Sequence, residues 1–207
     1  MRRTTVLLIC MLQALLVPIS ASAGPREEAL DDPAETLHQL FASEWDYQME
    51  RHPTWASSLG DRRWNDRWED SSLEAIEKDY QHRARVLARL KAIDRSRLTP
   101  RDQLNYDLFR KDYEVAIEGH QYHWYLAPLN QRGGIQTADE LADSLRFETL
   151  KDYEDWLARL RAFPTHVDQT IALMREGMRE RVMLPKVVMQ RVPGQIDKQI
   201  EIGRAHV

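Results

Sequence analysis

From Pro33 onward apolar side chains recur three and four residues apart, and no stretch of four or more residues keeps a strict apolar-polar alternation. That period matches the turn of an α-helix and not the two-residue repeat of a strand, so the chain is restricted to helices packed on helices. Leu37, Phe41 and Trp45, with Leu40 beside them, predict a first helix over about Pro33 to Arg51. Leu73, Ile76, Tyr80, Ala84, Leu87 and Leu90 form the buried stripe of a second, opened by Ser71 with Glu74 three residues on as a capping box. Thr99-Pro100-Arg101-Asp102 opens a third, because the threonine oxygen accepts an orphan amide proton and proline at the first helical position loses no bond. Its stripe is Leu104, Leu108, Phe109 and Ala116, reaching toward His120. Thr137 with Glu140 and Thr149 with Asp152 begin a short helix and a longer one, the latter bearing Tyr153, Trp156, Leu157 and Leu160. Pro164 and Pro185 each predict a restart, followed by the lines Val167, Ile171, Met174, Met178 and Val187, Val188, Val192, Ile196, Ile200. The fold class that follows is all-α, a multi-helix antiparallel array.

Two segments interrupt the helical period. His52 to Asp70 holds Pro53, Gly60 and the tryptophans Trp55, Trp64 and Trp68, and reads as an ordered loop; Tyr122 to Gln136, with Pro128 and Gly133-Gly134, reads as a long connection. Loops held on a rigid scaffold carry function disproportionately, so Trp55, Asp61 and Arg62 in the first and Gln131 and Arg132 in the second are candidate substrate-binding residues. The structural alternative stands beside each: aromatic anchors that plug a loop onto helices, charged residues that pair at the surface, and a turn whose polar groups satisfy one another. No His-Glu-x-x-His zinc signature, Gly-x-Ser-x-Gly elbow or phosphate-binding glycine loop occurs, so no catalytic residue and no metal ligand is assigned. His120 and His123 share a helical face at best, and spacing suggests no third ligand to complete a zinc set.

Both ends of the chain carry their own expectations. Met1-Arg2-Arg3-Thr4-Thr5, an apolar run from Val6 to Ile19 and Ala21-Ser22-Ala23 before Gly24 follow the order of a secretory signal peptide. Cleavage is expected between Ala23 and Gly24, with residues 24–32 as a flexible lead and a periplasmic or secreted location. The run, broken by Gln13 and Pro18, is short of the roughly 20 residues of a membrane span, so no membrane association is expected after removal. Cys10, the one cysteine, leaves with it, and the mature core holds by packing alone. Loss of Arg2 and Arg3 takes the formal charge from -4 to -6, with acidic and basic residues interspersed, which excludes a nucleic-acid stripe. At the other end, Glu201 to Val207 back-translate to (G)AG ATC GGA AGA GCA CAC GTC, the start of a common short-read sequencing adapter. The reading frame is therefore expected to leave its insert near Ile200, and residues 201–207 to pack against nothing.

The order of several segments adds a resemblance. Pro53-Thr54-Trp55-Ala56-Ser57-Ser58-Leu59-Gly60-Asp61 after a first helix is followed by Leu98-Thr99-Pro100-Arg101-Asp102-Gln103-Leu104-Asn105-Tyr106. Lys151-Asp152-Tyr153-Glu154-Asp155-Trp156-Leu157-Ala158-Arg159-Leu160 and Asp168-Gln169-Thr170-Ile171-Ala172-Leu173-Met174-Arg175-Glu176-Gly177 complete the series. Together, from about Leu37 to Ile200, these resemble the amino-terminal part of the bacterial domain-of-unknown-function 885 family. The resemblance implies a larger zincin-like α-helical fold, with a zinc-binding His-Glu-x-x-Pro-Gly-His type motif beyond this region, acting on peptides. It implies that residues 33–200 are a non-catalytic amino-terminal part, holding no zinc themselves, whose partner is the missing carboxy-terminal half of the same chain. The alternative is a metal-free periplasmic helical module that binds a ligand or protein through the Trp55 to Trp68 loop.

Overall fold

Helix α1 (Pro33–Arg51) starts at Asp32, whose carboxylate accepts the Ala34 N–H at 3.0 Å, and spans the expected residues. The computed structural model describes the backbone of residues 32–205 and the side chains of residues 32–201. The proposed signal peptide, Cys10, the Ala23-Gly24 junction, the lead as far as Asp31 and the side chains of residues 202–207 lie outside the described residues. The described residues are all-α, with no β-strand among them and no helix long and apolar enough to cross a membrane.

The expected loop from His52 to Asp70 is in part helical. Only His52 separates α1 from α2 (Pro53–Ser58), because Pro53 is already set to a helical φ at the first position. A 3₁₀ turn over Arg62–Trp64 follows Gly60, which takes φ 86. Helix α3 (Leu73–Lys91) is capped by Ser72 and not by Ser71. Ser72 Oγ accepts the Ala75 N–H at 3.2 Å, whereas the Ser71 N–H goes to the Gln169 side chain at 2.9 Å.

Helix α4 (Pro100–His120) begins at Thr99 as expected, with the hydroxyl accepting the Asp102 N–H. Its face is not the expected one. Leu104 and Leu108 are 59% and 57% exposed, while Asp102, Tyr106 and Tyr113 turn inward beside Phe109. The Asp102 carboxyl meets His38 and the Tyr113 hydroxyl meets Glu44 across the helix seam, so counting carbon alone selects the wrong line. The same correction applies to α1 and α3, where Trp45, Leu73 and Ala84 face outward while Glu44 and Val86 are buried. The core cluster of Leu37, Leu40, Val86, Leu90, Ile93, Leu98, Tyr106 and Tyr113 lies where α1, α3 and α4 meet.

Helix α5 (Glu140–Ser144) starts later than Thr137, which belongs to a 3₁₀ turn over Ile135–Thr137. Helix α6 (Leu150–Glu180) has the expected Thr149–Asp152 capping box but does not restart at Pro164; it runs on for 31 residues. Proline in a helix interior costs about 3 kcal/mol, and the helix is anchored on both sides of it by buried Arg159, Thr170, Leu173 and Gly177. A Cβ on Gly177 would lie 2.8 Å from the Leu126 carbonyl and 2.7 Å from that of Val182, so a glycine lets the 3₁₀ turn Trp124–Leu126 seat against α6. The single helix expected after Pro185 is two, α7 (Lys186–Met189) and α8 (Val192–Ala205). The break at Gln190-Arg191 precedes Pro193, which suits the first turn of a new helix.

Candidate functional site

At one end of the α1–α3–α4 seam sits a buried carboxylate. Glu44 falls four residues after Leu40 on the inward line of α1 and is 3% exposed. His82 Nε2, on α3, lies 2.9 and 3.0 Å from its two oxygens, and the Tyr113 hydroxyl on α4 donates to it at 2.5 Å. Nε2 therefore carries a proton and donates. The His82 ring stacks on Tyr47 at 3.6 Å, and the Tyr47 hydroxyl donates to Asp79, which also accepts from Arg83 Nε at 2.8 Å. Burial, then the Glu44 hydrogen bond, push the Tyr113 hydroxyl far above its ordinary range. Burial and Asp79 push Tyr47 up to about 12. Burial disfavours the phenolate, and a neighbouring carboxylate that accepts the hydroxyl proton disfavours it further.

Beside this cluster opens a cleft of about 500 Å³ between α1, α2 and α4. Phe41, Trp45, Trp55 and Phe109 wall it, with Glu44 and Tyr113 on its buried side and Asp112 and Asn105 also lining it. Trp45 and Trp55 meet edge to face at 5.8 Å and remain 52% and 44% exposed; Phe41 and Phe109 pack at 4.9 Å. The two oxygens of Glu44 already receive protein donors. The cleft therefore sets aromatic side chains beside a buried, hydrogen-bonded carboxylate.

The sequence-derived candidates are dispersed. Trp55 lines the cleft. Asp61 caps the Arg62–Trp64 turn and pairs with Arg63, which reaches on to Asp46. Arg62 pairs with Asp152 and Glu148 beside a separate hollow of about 400 Å³ that includes Ser57, Asn65 and Arg146. The Gln131 carbonyl accepts from Gln195 of α8 at 3.1 Å, and the Arg132 N–H donates to Asn130 Oδ1 at 2.8 Å, closing a turn; neither residue lines the cleft. Glu44, His82 and Tyr113 were missed by loop-centred reasoning. Their one local signal is Glu44 standing in register with Leu37 and Leu40, a charge on an apolar stripe. His120 ends α4 stacked on Tyr80 at 4.2 Å, with His123 at 6.4 Å between ring centres.

The family model described as "Bacterial protein of unknown function (DUF885)" matches residues 53–206. The chain belongs to the DUF885 family. No curated protein matches it. The match begins at the first residue of α2, so the DUF885 cleft takes Trp55, Asn105, Phe109, Asp112 and Tyr113 from the matched span and Phe41, Glu44 and Trp45 from the helix before it. Among the described residues no group of three or more His, Cys, Asp or Glu side chains is arranged to hold a metal ion; the zinc motif that the resemblance implies lies outside them.

Proposed function

We propose that this DUF885 chain is the non-catalytic amino-terminal wall of a larger, exported, zinc-dependent peptidase-like hydrolase, whose remaining helices cover the faces now open. One observation carries this reading. Leu150, Tyr153, Leu157 and Leu160 form a single stripe along α6 and are 74%, 53%, 48% and 45% exposed. Leu104, Leu108 and Val115 do the same on α4. Lone exposed apolar residues are ordinary, but stripes at helical spacing are the faces that helices bury against other helices. Val187 is 67% exposed and Val192 is buried, so the last segments pack only in part. The hydrolase class is what the resemblance implies, the matched family model being described as of unknown function, and the amino-terminal residues support export.

The test is to express the chain as it stands and the longest polypeptide encoded at the same locus, then measure bound zinc and cleavage of a mixed peptide library. The longer protein is expected to hold zinc and cleave, and the shorter to do neither. A longer protein without bound zinc or peptide cleavage overturns the proposal. The metal-free binding module is the second reading, and the half-exposed Trp45 and Trp55 in the cleft favour it.

A further inference from the structure

We propose that the aromatic cleft is a binding site for a quaternary ammonium group. Four observations meet there. Phe41, Trp45, Trp55, Phe109 and Tyr113 all line one opening of about 500 Å³, and indole and phenyl faces attract a cation through their quadrupole. Trp45 and Trp55 stay 52% and 44% exposed, which leaves aromatic surface for a ligand. The charge of the lining is negative: Glu44 and Asp112 both contribute, and the one cationic lining residue, Arg83, is matched by Asp79 at 2.8 Å. Asp112 makes no ion pair among the described residues.

The fourth observation chooses among cations. A primary ammonium carries three N–H groups that need acceptors, and with Glu44 already receiving His82 and Tyr113 the cleft offers it one unpaired carboxylate, Asp112. A methylated ammonium has no N–H to satisfy. It gains from the ring faces and from the field of Glu44 and Asp112 without displacing either donor, whereas a primary amine has more N–H groups to satisfy than the one unpaired carboxylate serves. The inference rests on the cleft residues and not on the hydrolase reading, although Leu108 belongs both to the cleft and to the exposed α4 stripe that the hydrolase reading covers.

The test is calorimetric titration of the full chain with choline, with its uncharged carbon isostere 3,3-dimethylbutan-1-ol, and with ethanolamine. Choline is expected to bind about tenfold or more tightly than either, the size of one or two desolvated cation–π contacts. Trp55→Leu and Trp45→Leu change exposed side chains and leave the helical circular dichroism intact, and each is expected to weaken choline about fivefold or more, within the same range per ring. Asp112→Asn is expected to weaken choline and leave the isostere unchanged. Equal affinity for choline and the isostere overturns the proposal by making the cleft merely apolar. Undiminished choline binding in both tryptophan variants overturns it by placing the cation elsewhere, and tighter binding of ethanolamine overturns the choice of a methylated cation.

Discussion

Arg159 is the most informative single residue to replace. It lies within α6, is 0% exposed, and its guanidinium reaches three acceptors of the tryptophan segment. Nε donates to the Arg67 carbonyl at 2.9 Å, and Nη2 to the Trp64 carbonyl at 2.8 Å and to Ser57 Oγ at 2.9 Å. The group also sits 5.6 Å from the Trp68 ring centre, while the Trp68 indole N–H donates back to the Arg159 carbonyl. Burial pulls the Arg159 pKa down, and the field of Glu69, Asp66 and Asp155 pulls it back up. Arg159→Met keeps the stem and removes the donors. A buried ion pair exchanged whole for apolar groups is often neutral, because both charges leave together. Here two of the three acceptors, at Arg67 and Trp64, are main-chain carbonyls that no side-chain substitution removes. Two of them left dry at about 1–3 kcal/mol each, less a partial return from no longer burying a charge, give a net loss of about 3 kcal/mol. For a domain of this size that is a fall in Tm of about 6–12 °C. Thermal and urea unfolding followed by tryptophan fluorescence measure it, and acrylamide quenching should show Trp64 and Trp68 opening first. Arg159→Lys should recover only part, since one ammonium cannot span acceptors placed on two sides of a planar fork. An Arg159→Met protein that melts within about 2 °C of the parent refutes the reasoning, because that shift is under about 1 kcal/mol.

Three other outcomes follow from the same geometry. Tyr47 and Tyr113 have raised pKa values when folded, so their contribution to stability is whole below about pH 10 and is lost as pH rises toward 12; ultraviolet difference titration should show both ionising only as the helices unfold, and Tyr113→Phe should flatten that alkaline loss. For Asp152, burial raises the pKa but is outweighed by hydrogen bonds from Thr149, Arg62 and the Glu148 N–H, which hold it at about 2 against an ordinary 3.8; its contribution is present above the ordinary value and lost as pH falls toward 2, and a series of urea midpoints should show Asp152→Asn losing less across that window than the parent. Gly177→Ala places a methyl against two main-chain carbonyls and should cost about 1–3 kcal/mol, read as a lower Tm and faster proteolysis after α6; unchanged stability would mean that the Trp124–Leu126 turn moves away freely.

Some helix starts were legible because their bonds close within one turn. Thr99 and the Thr149–Asp152 box do in the structure what those residue types do in any chain, and the helical period between them implied the all-α class. Trp55 lines the cleft, but the sequence left it equally able to anchor its segment on the helices, as Trp68 does on α6. Asp61 and Arg62 belong to the same segment, yet they serve a cap and an ion pair, and only the arrival of α6 with Asp152 decides that for Arg62. The structure alone settled which face of each helix turns inward. Tyr113 and His82 are 69 and 38 residues from Glu44, and no local pattern states that three polar groups will cancel one another's desolvation. The same holds for Pro164, where the local penalty of about 3 kcal/mol argues for a break and packing along a helix of 31 residues overrides it. Period and caps are properties of one helix; burial, charge pairing and the aromatic cleft are properties of helices brought together, and their free energy exists only once that contact is made.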